Sequence, residues 1–551
     1  MIYRPLLKRL MNHWDSLCTT GLCLGTLFFA LSLTPSLLPR TPLLQGVLCG
    51  VSFAAGYGIG VALRWLWRFL ELPEIRRHAL RRFRVVAAAV CVVIALVFLH
   101  LASGWQNGIR ALMQMEPVEG VRPFFVTLVA IGVFWLLLIL TRVFKALGGA
   151  ATAFLRRHIP QRVAAIAGFG LVVILLWTLA NGLLLSGAMR LADSSFQQFD
   201  AFIPDDLEAP RDGLRSGSPD SLIDWLDLGR TGRNFVAGVT SVTDLAAFHD
   251  GDVMEPVRVY VGLNAAESIE ERAQLALAEL KRVDAFSRRV LVIVTPTGTG
   301  SIDRDAMNSL EYLLAGNVAT VAVQYSYLAS WLTLMVEPDY GEESARETFR
   351  TIYEYWTDLP RDERPALYLH GLSLGAMNSD LAADLFDVIG DPFDGALWSG
   401  TPFTSRTLRS ATRERLPGSP AWAPRFRDGS VIRFANQHGF AADDYAPWGP
   451  MRIVFLQYAS DPVTFFRPDS FYRRPEWLDA PRGPDVSRDL RWIPVVTFLQ
   501  LFTDMLAARG APLGFGHFYA PEHYVTAWGA ILDLPEWDEA RLENLRRHLA
   551  R

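Results

Sequence analysis

The sequence of 551 residues predicts two structural classes in one chain. The first is an α-helical transmembrane bundle of about five helices over 1–190. A connector over 191–255 follows, then an α/β domain over 256–551 with a mostly parallel sheet covered by helices. Three observations predict this. Half of the chain is apolar (51%) and the excess sits in the first 190 residues. The composition turns polar after Leu191, with Pro204, Pro210 and Pro219. From Pro256 short β-branched runs alternate with longer amphipathic stretches. The apolar content excludes a disordered chain, and the net charge of −4 excludes a globally basic nucleic-acid binder.

Five runs without a charged residue, roughly 16–38, 43–63, 85–104, 123–141 and 163–189, are each long enough to cross a hydrocarbon core of about 30 Å. Basic residues in short loops set orientation. The N-terminal tail, the second loop (Arg64 to Arg84) and the fourth (Arg142 to Arg162) carry fifteen, against three (Arg40, Arg110, Arg122) on the other side. This predicts a cytoplasmic N-terminus and, after five crossings, a C-terminal half outside the cytoplasm. The central stretches lack Asp, Glu, Lys and Arg, leaving His100 and Asn181 as their most polar residues. Ion pathways usually need ionisable groups, so the region reads as an anchor rather than a transporter. Gly46-x-x-x-Gly50 and Gly56-x-x-x-Gly60 read as close helix packing. All four cysteines (Cys18, Cys23, Cys49, Cys91) fall in these runs, so the polar half needs no disulfide.

In 191–255 the reading is a connector with short helical pieces, for example at Ser221–Leu228. Strands are expected at Val257–Val261, Val290–Val294, Ala319–Gln324, Ala366–Leu369, Gly395–Trp398 and Arg452–Gln457, with a weaker one at Val431–Phe434. Helices are expected at Ala265–Phe286, Asp303–Ala315, Glu342–Thr357 and Ala376–Val388. Such a sheet is buried on both faces and binds ligands beyond the carboxyl ends of its strands, so the chemistry is sought there.

Gly371-Leu-Ser373-Leu-Gly375 has an apolar strand before it and a helical pattern after it, the context that lets a strained turn project a serine. The helix dipole then faces any developing oxyanion. The bland alternative is a Gly-rich turn with a capping serine. A serine needs a base oriented by a carboxylate. Asp461 follows the strand Arg452–Gln457, in an Asp-Pro pair that could also merely start a turn. Of the later histidines, His517 lies in the Gly-bracketed loop Gly514-Phe-Gly-His517 and is preferred as base. His523 is the alternative, and His548 sits among arginines at the chain end. Oxyanion donors are sought at the Leu374 N–H and in Thr295-Pro-Thr-Gly298-Thr299-Gly300, where Gly298 and Thr299 are nominated. That glycine loop lacks the third glycine of a dinucleotide site, position 303 being Asp. No CxxC or His/Cys cluster suggests zinc, and no cofactor is implied.

Leu33-Thr-Pro-Ser-Leu-Leu-Pro-Arg40, Gly229-Arg-Thr-Gly-Arg-Asn-Phe235, Thr295 to Gly300, Gln324-Tyr-Ser-Tyr327, His370 to Gly375 and Gly516-His-Phe-Tyr519 span most of the chain. With these motifs the sequence resembles a bacterial family of membrane-anchored α/β-hydrolases. The resemblance implies a serine hydrolase of esterase or lipase type, with Ser373, Asp461 and His517 in the family's order. It also implies a bacterial inner-membrane location. Typical members of the wider fold have a clear strand between acid and histidine, whereas Trp492–Ala508 reads as a helix here. Aromatic residues after the strand ends (Tyr325, Tyr327, Trp331, Trp398, Phe403, Trp422, Trp448), with His370, are pocket candidates that would suit an apolar acyl group. Partners are then the bilayer and a lipid or cell-envelope ester, with no nucleic acid. Acyl transfer by the same three residues and a catalytically silent membrane scaffold are the alternatives. Nothing in the sequence sets the oligomeric state.

Overall fold

The structure is a computed structural model that describes residues 17–73, 77–178, 207–328, 338–442 and 444–550. The chain forms two compact units. One holds the N-terminal helices together with 466–511, and the other holds the sheet, with the chain from 188 to 465 and from 512 to the end.

The first unit contains α1 (Thr19–Ser32), α2 (Pro42–Phe69), α3 (Arg77–Leu112), α4 (Pro123–Leu155) and α5 (Gln161–Thr178). The last four are long and apolar enough to cross a membrane. The first run differs from its expected span. Pro35 forbids a helical Thr34, so α1 stops after 14 residues, about 21 Å at 1.5 Å per residue. Thr41 then caps α2, accepting from the Leu44 N–H, with Pro42 at its first position. α4 continues past the expected end because Arg142 and Lys145 do not break a helix. The end of the fifth run and the whole N-terminal tail lie outside the described residues.

The glycines of α2 serve two faces. A Cβ on Gly46 or Gly50 would lie 2.7 Å from Val129 Cβ or 2.6 Å from Val133 Cβ of α4. One on Gly56 or Gly60 would lie 2.5 Å from the Leu24 carbonyl or 2.6 Å from Gly21 Cα of α1. The packing reading of both motifs is thus realised, each against a different neighbour.

In the loop between α1 and α2, Arg40 and Asp504 form an ion pair with both side chains fully buried. Asp504 Oδ1 accepts from Arg40 Nε at 2.9 Å, and Oδ2 accepts from the Leu37 and Leu38 N–H groups. Arg40 also donates to Gln45 of α2 and to Ser36, while its own N–H donates to Gln106 of α3. Asp504 lies on the helix Val496–Leu506. This segment was expected within the α/β domain, but it packs with α1 and α2.

The second unit is built on one sheet: β1 (Val257–Val261), β2 (Val290–Thr295), β3 (Val318–Val323), β4 (Ala366–Leu372), β5 (Gly395–Ser399), β6 (Ile432–Asn436), β7 (Gly439–Phe440) and β8 (Arg452–Leu456). The order is β1-β3-β2-β4-β5-β8-β6-β7. Every pair is parallel except β6–β7, a two-residue edge strand absent from the expected set. All residues of β1, β2, β3 and β5 are buried, which explains their unbroken apolar runs.

The described part of the expected connector belongs to this unit. Ile223, Leu228, Phe235, Val236 and Leu245 join its core, and Arg215 pairs with Arg258 of β1. The expected helical piece at Ser221–Leu228 is a series of turns. Side chains there take the backbone's partners: the Ile223 N–H donates to Ser221 Oγ and the Leu226 N–H to Asp224. The helix starts at Gly229 instead.

Gly60→Leu should force α1 and α2 apart, whereas Gly58→Leu adds a side chain where nothing lies within 4 Å. Thermal unfolding in detergent should show Gly60→Leu less stable by about 1–3 kcal/mol and Gly58→Leu close to wild type.

Candidate active site

β4 runs into the helix Leu374–Ala382 with only Ser373 between them. Ser373 has φ +56° and ψ −124°, a strained conformation for a residue with a Cβ. Glycine is needed on both sides. A Cβ on Gly375 would run into the carbonyl of Thr295, and one on Gly371 into the backbone of Gly375. The Ser373 N–H donates to the Ser399 carbonyl at the end of β5 (2.9 Å). Leu374 is the first residue of the helix, so its N–H is one of the terminal donors that lack an intrahelical acceptor.

Asp461 follows β8, the neighbour of β5, and is fully buried. Its Oδ1 accepts from the Val463 N–H at 2.8 Å. Its Oδ2 accepts from His517 Nδ1 (2.7 Å), the Tyr519 hydroxyl (2.8 Å) and Thr464 Oγ1 (3.3 Å). Burial and the adjacent Asp461 charge hold the Tyr519 hydroxyl well above its ordinary pKa, so it stays a donor. His517 is presented by a tight loop in which Gly514 and Gly516 have positive φ. The Gly516 N–H donates to Ser460 Oγ at 2.9 Å, fixing the histidine loop to the residue beside the acid. The ring lies against Gly400, where a Cβ would come within 2.6 Å of His517 Cε1. Gly400 follows Ser399, and its N–H donates to the Leu456 carbonyl of β8. The carboxyl ends of β4, β5 and β8 thus place Ser373, the His517 ring and Asp461 along one edge of the sheet. The Ser373 side is half-buried, and the His517 side chain is 11% exposed.

His523 is not joined to the acid. Its Nδ1 meets the Tyr458 hydroxyl at 2.5 Å, and burial pushes its pKa down to about 4. In the loop after β2, the N–H groups of Thr297 and Gly300 close a turn, with Gly298 and Thr299 at its tip. Of the pocket candidates, His370 and Trp398 lie in the core rather than at the surface of a pocket. His370 Nδ1 bonds the Leu397 carbonyl at 2.7 Å, and Trp398 Nε1 donates to Ser379. Tyr325 is buried and accepts from Asn378. Tyr327 is half-buried and donates to Asn264. Trp331 lies outside the described residues. A cavity of about 360 Å³ lined by Arg289, Ala366, Asp394 and Arg452 opens at the amino ends of the strands, away from Ser373. Among the described residues no His, Cys, Asp and Glu side chains form a metal-ligating group.

Sequence reasoning missed Tyr519 and Ser460 as supports of the acid and histidine. Tyr519 had a signal as the end of the motif Gly516-His-Phe-Tyr519, and Ser460 only its place beside Asp461.

A model of an α/β-hydrolase family matches residues 257–545, more than half of the chain. The chain belongs to the α/β-hydrolase family. The model of that family's N-terminal region matches residues 33–239, so the helical region of this α/β-hydrolase belongs to the family as well as its sheet. Neither the curated proteins nor the solved structures compared with it include a match. Most motifs read from the sequence converge in this hydrolase on the loop after β2. Thr231 Oγ1 donates to the Thr299 carbonyl, the Tyr260 hydroxyl packed on Gly232 donates to the Gly300 carbonyl, and Gln324 lies against Gly300.

Burial pushes the His370 pKa from 6.5 down to about 4, so the folded hydrolase holds a neutral ring. Between those values the unfolded chain binds more protons than the folded one. The stability present above pH 6.5 is therefore lost as the pH falls through this window, by on the order of 3 kcal/mol for His370. Asp303, raised to about 6 by burial, acts in the opposite sense. Unfolding followed between pH 7.5 and pH 4 should show His370→Gln losing on the order of 3 kcal/mol less stability than wild type across the window.

Proposed function

We propose that this α/β-hydrolase is a membrane-anchored serine hydrolase that cleaves ester bonds of apolar, lipid or cell-envelope substrates through an acyl-enzyme on Ser373. The observation that carries the reading is the 2.7 Å bond from His517 Nδ1 to a fully buried Asp461, on the strand edge where Ser373 makes its strained turn. With Nδ1 committed to the acid, Nε2 is the nitrogen left to take the Ser373 hydroxyl proton as the oxygen attacks the ester carbonyl. The carbonyl electrons move onto oxygen. That oxyanion would be held by the Leu374 N–H and by an amide of Gly298 or Thr299. Collapse of the intermediate expels the alcohol, which takes the proton from His517, and water then repeats the sequence to free the acid. Asp461 orients the imidazole and stabilises its charged form, and Tyr519 holds Asp461. Exposed Phe518 and Leu513 beside the histidine loop favour an apolar substrate group.

The same reading places the hydrolase on the extracytoplasmic face of a bacterial inner membrane. Seven basic residues lie in the α2–α3 loop and the helix ends beside it (64–84), and five in the α4–α5 loop and its flanking helix ends (142–162), so that face is cytoplasmic. α5 then leads the chain to the opposite face, whether or not the short α1 crosses. The bonds of Asp504 and Gln500 to the α1–α2 loop independently bring the later chain to that same opposite face. A cytoplasmic N-terminus additionally requires α1 to pass through the bilayer.

A fluorophosphonate probe should label the wild-type protein in membranes and leave Ser373→Ala unlabelled. His517→Ala and Asp461→Asn should each lower ester turnover by at least about 10³-fold. Folded wild-type protein that takes no label would favour the silent scaffold. Tyr519→Phe, which removes one donor from a buried carboxylate, should lower kcat by about tenfold with little change in KM.

A further inference from the structure

The helix Val496–Leu506 buries polar groups and exposes large apolar ones. Its buried side carries Thr497, Gln500 and Asp504, each no more than 1% exposed, beside the fully buried Val496 and Leu501. Gln500 Nε2 donates to the Thr34 carbonyl at 2.9 Å, and Asp504 holds Arg40 and the backbone of Leu37 and Leu38. Its outer side carries Phe498, Phe502 and Leu506, with Phe502 42% and Leu506 55% exposed. The aromatic surface continues along the preceding chain. Phe498 is ringed by Phe466, Phe471 and Phe502 at 5.5–6.4 Å. Phe471 and Tyr472 are exposed, the latter at 72%, and exposed Arg473 and Arg474 follow them. A surface helix in water turns its apolar stripe inward. Here polar groups share the inner side with Val496 and Leu501 because they satisfy the loop between α1 and α2, and Phe502 and Leu506, with Phe498 beside them, are left outside as a contiguous patch.

We propose that this outer face, with Phe471 and Tyr472 at its border, is covered by the acyl chains of the bilayer. The chain would thus contact the membrane a second time, between its acid and its histidine. The inference rests on the reading that α2–α5 cross a bilayer. Three observations favour lipid as the occupant. The helix is bonded to the loop that joins α1 to the first full-length span, so it stands at the end of that span. Its 11 residues measure about 16 Å, too short to cross, which fits a segment that enters and leaves by one face. The Tyr472, Arg473 and Arg474 border has the aromatic and long basic side chains that settle at headgroup level.

The full-length protein, carrying Cys18→Ser, Cys23→Ser, Cys49→Ser and Cys91→Ser, would be placed in phosphatidylcholine–phosphatidylglycerol vesicles. An environment-sensitive fluorophore would be attached at Phe502→Cys and, in a second chain, at Leu506→Cys. Leu96→Cys on α3 serves as the lipid reference and Asp362→Cys in the hydrolase unit as the aqueous one. Doxyl-labelled lipids are expected to quench the 502 and 506 probes to a degree comparable with position 96. Iodide should quench them several-fold less than position 362. Quenching by iodide as at 362, with none from doxyl lipids, would overturn the proposal. Protection from both quenchers would overturn it too, in favour of a protein surface such as a second copy. If position 96 is also insensitive to doxyl lipid, the membrane reading itself fails and this inference falls with it.

Discussion

Ser373 holds a backbone conformation that costs an L-residue about 1–3 kcal/mol, and the chain on either side of it is held by close backbone contacts. The turn from β4 into its helix is tight enough that Gly375 presses on the Thr295 carbonyl and Gly371 on the backbone of Gly375. The first of those contacts requires β2 and β4 to be neighbours in register, as they are from Val290–Ala366 to Thr295–Gly371. The loop leaving β2 is thereby held beside the serine. The bond from the Ser373 N–H to the end of β5, and from Gly400 to β8, extends the same edge to the acid. One strained residue thus ties four adjacent strands to a common height.

The histidine reaches this edge by a different route. It comes from a loop rather than a strand, so its position depends on two anchors, Asp461 at Nδ1 and Ser460 at the Gly516 N–H. Asp461 has its acceptor sites filled, with four donors converging on its two oxygens. That count compensates for its complete burial, since an ionised carboxylate without such donors would be expensive to hold away from water.

Much of this was legible in the residues. Six of the seven expected strands agree closely with the observed ones, and the weaker run at 431–434 is displaced by one or two positions as β6. Unbroken apolar runs of five or six residues are strong signals for a fully buried sheet. The elbow was legible because its glycines are sterically required. The pairing of Asp461 with His517 rather than His523 could only be weighed, because it depends on a loop closing in three dimensions. Two boundaries were not legible. Ser221–Leu228 has a helix-compatible composition, but its Ser and Asp side chains take the backbone donors. Val496–Leu506 read as a helix, yet the ion pair that removes it from the sheet unit joins residues 464 positions apart. No local pattern reports such a contact. The aromatic residues after the strands show the opposite limit: Trp398 and His370 have the composition of a pocket and the surroundings of a core.

The acid at 461 and the histidine at 517 bracket the segment that Arg40 holds. The two halves of the polar pair are therefore covalently linked through chain that is folded against the N-terminal helices. During synthesis the helices emerge first, the serine and the acid next, and the histidine last, after the docking segment. Removing the helices would take from Asp504 and Gln500 the partners they have in the α1–α2 loop, within the segment that separates Asp461 from His517. The helical region thus fixes, through the α1–α2 loop, part of the chain that joins residue 461 to residue 517.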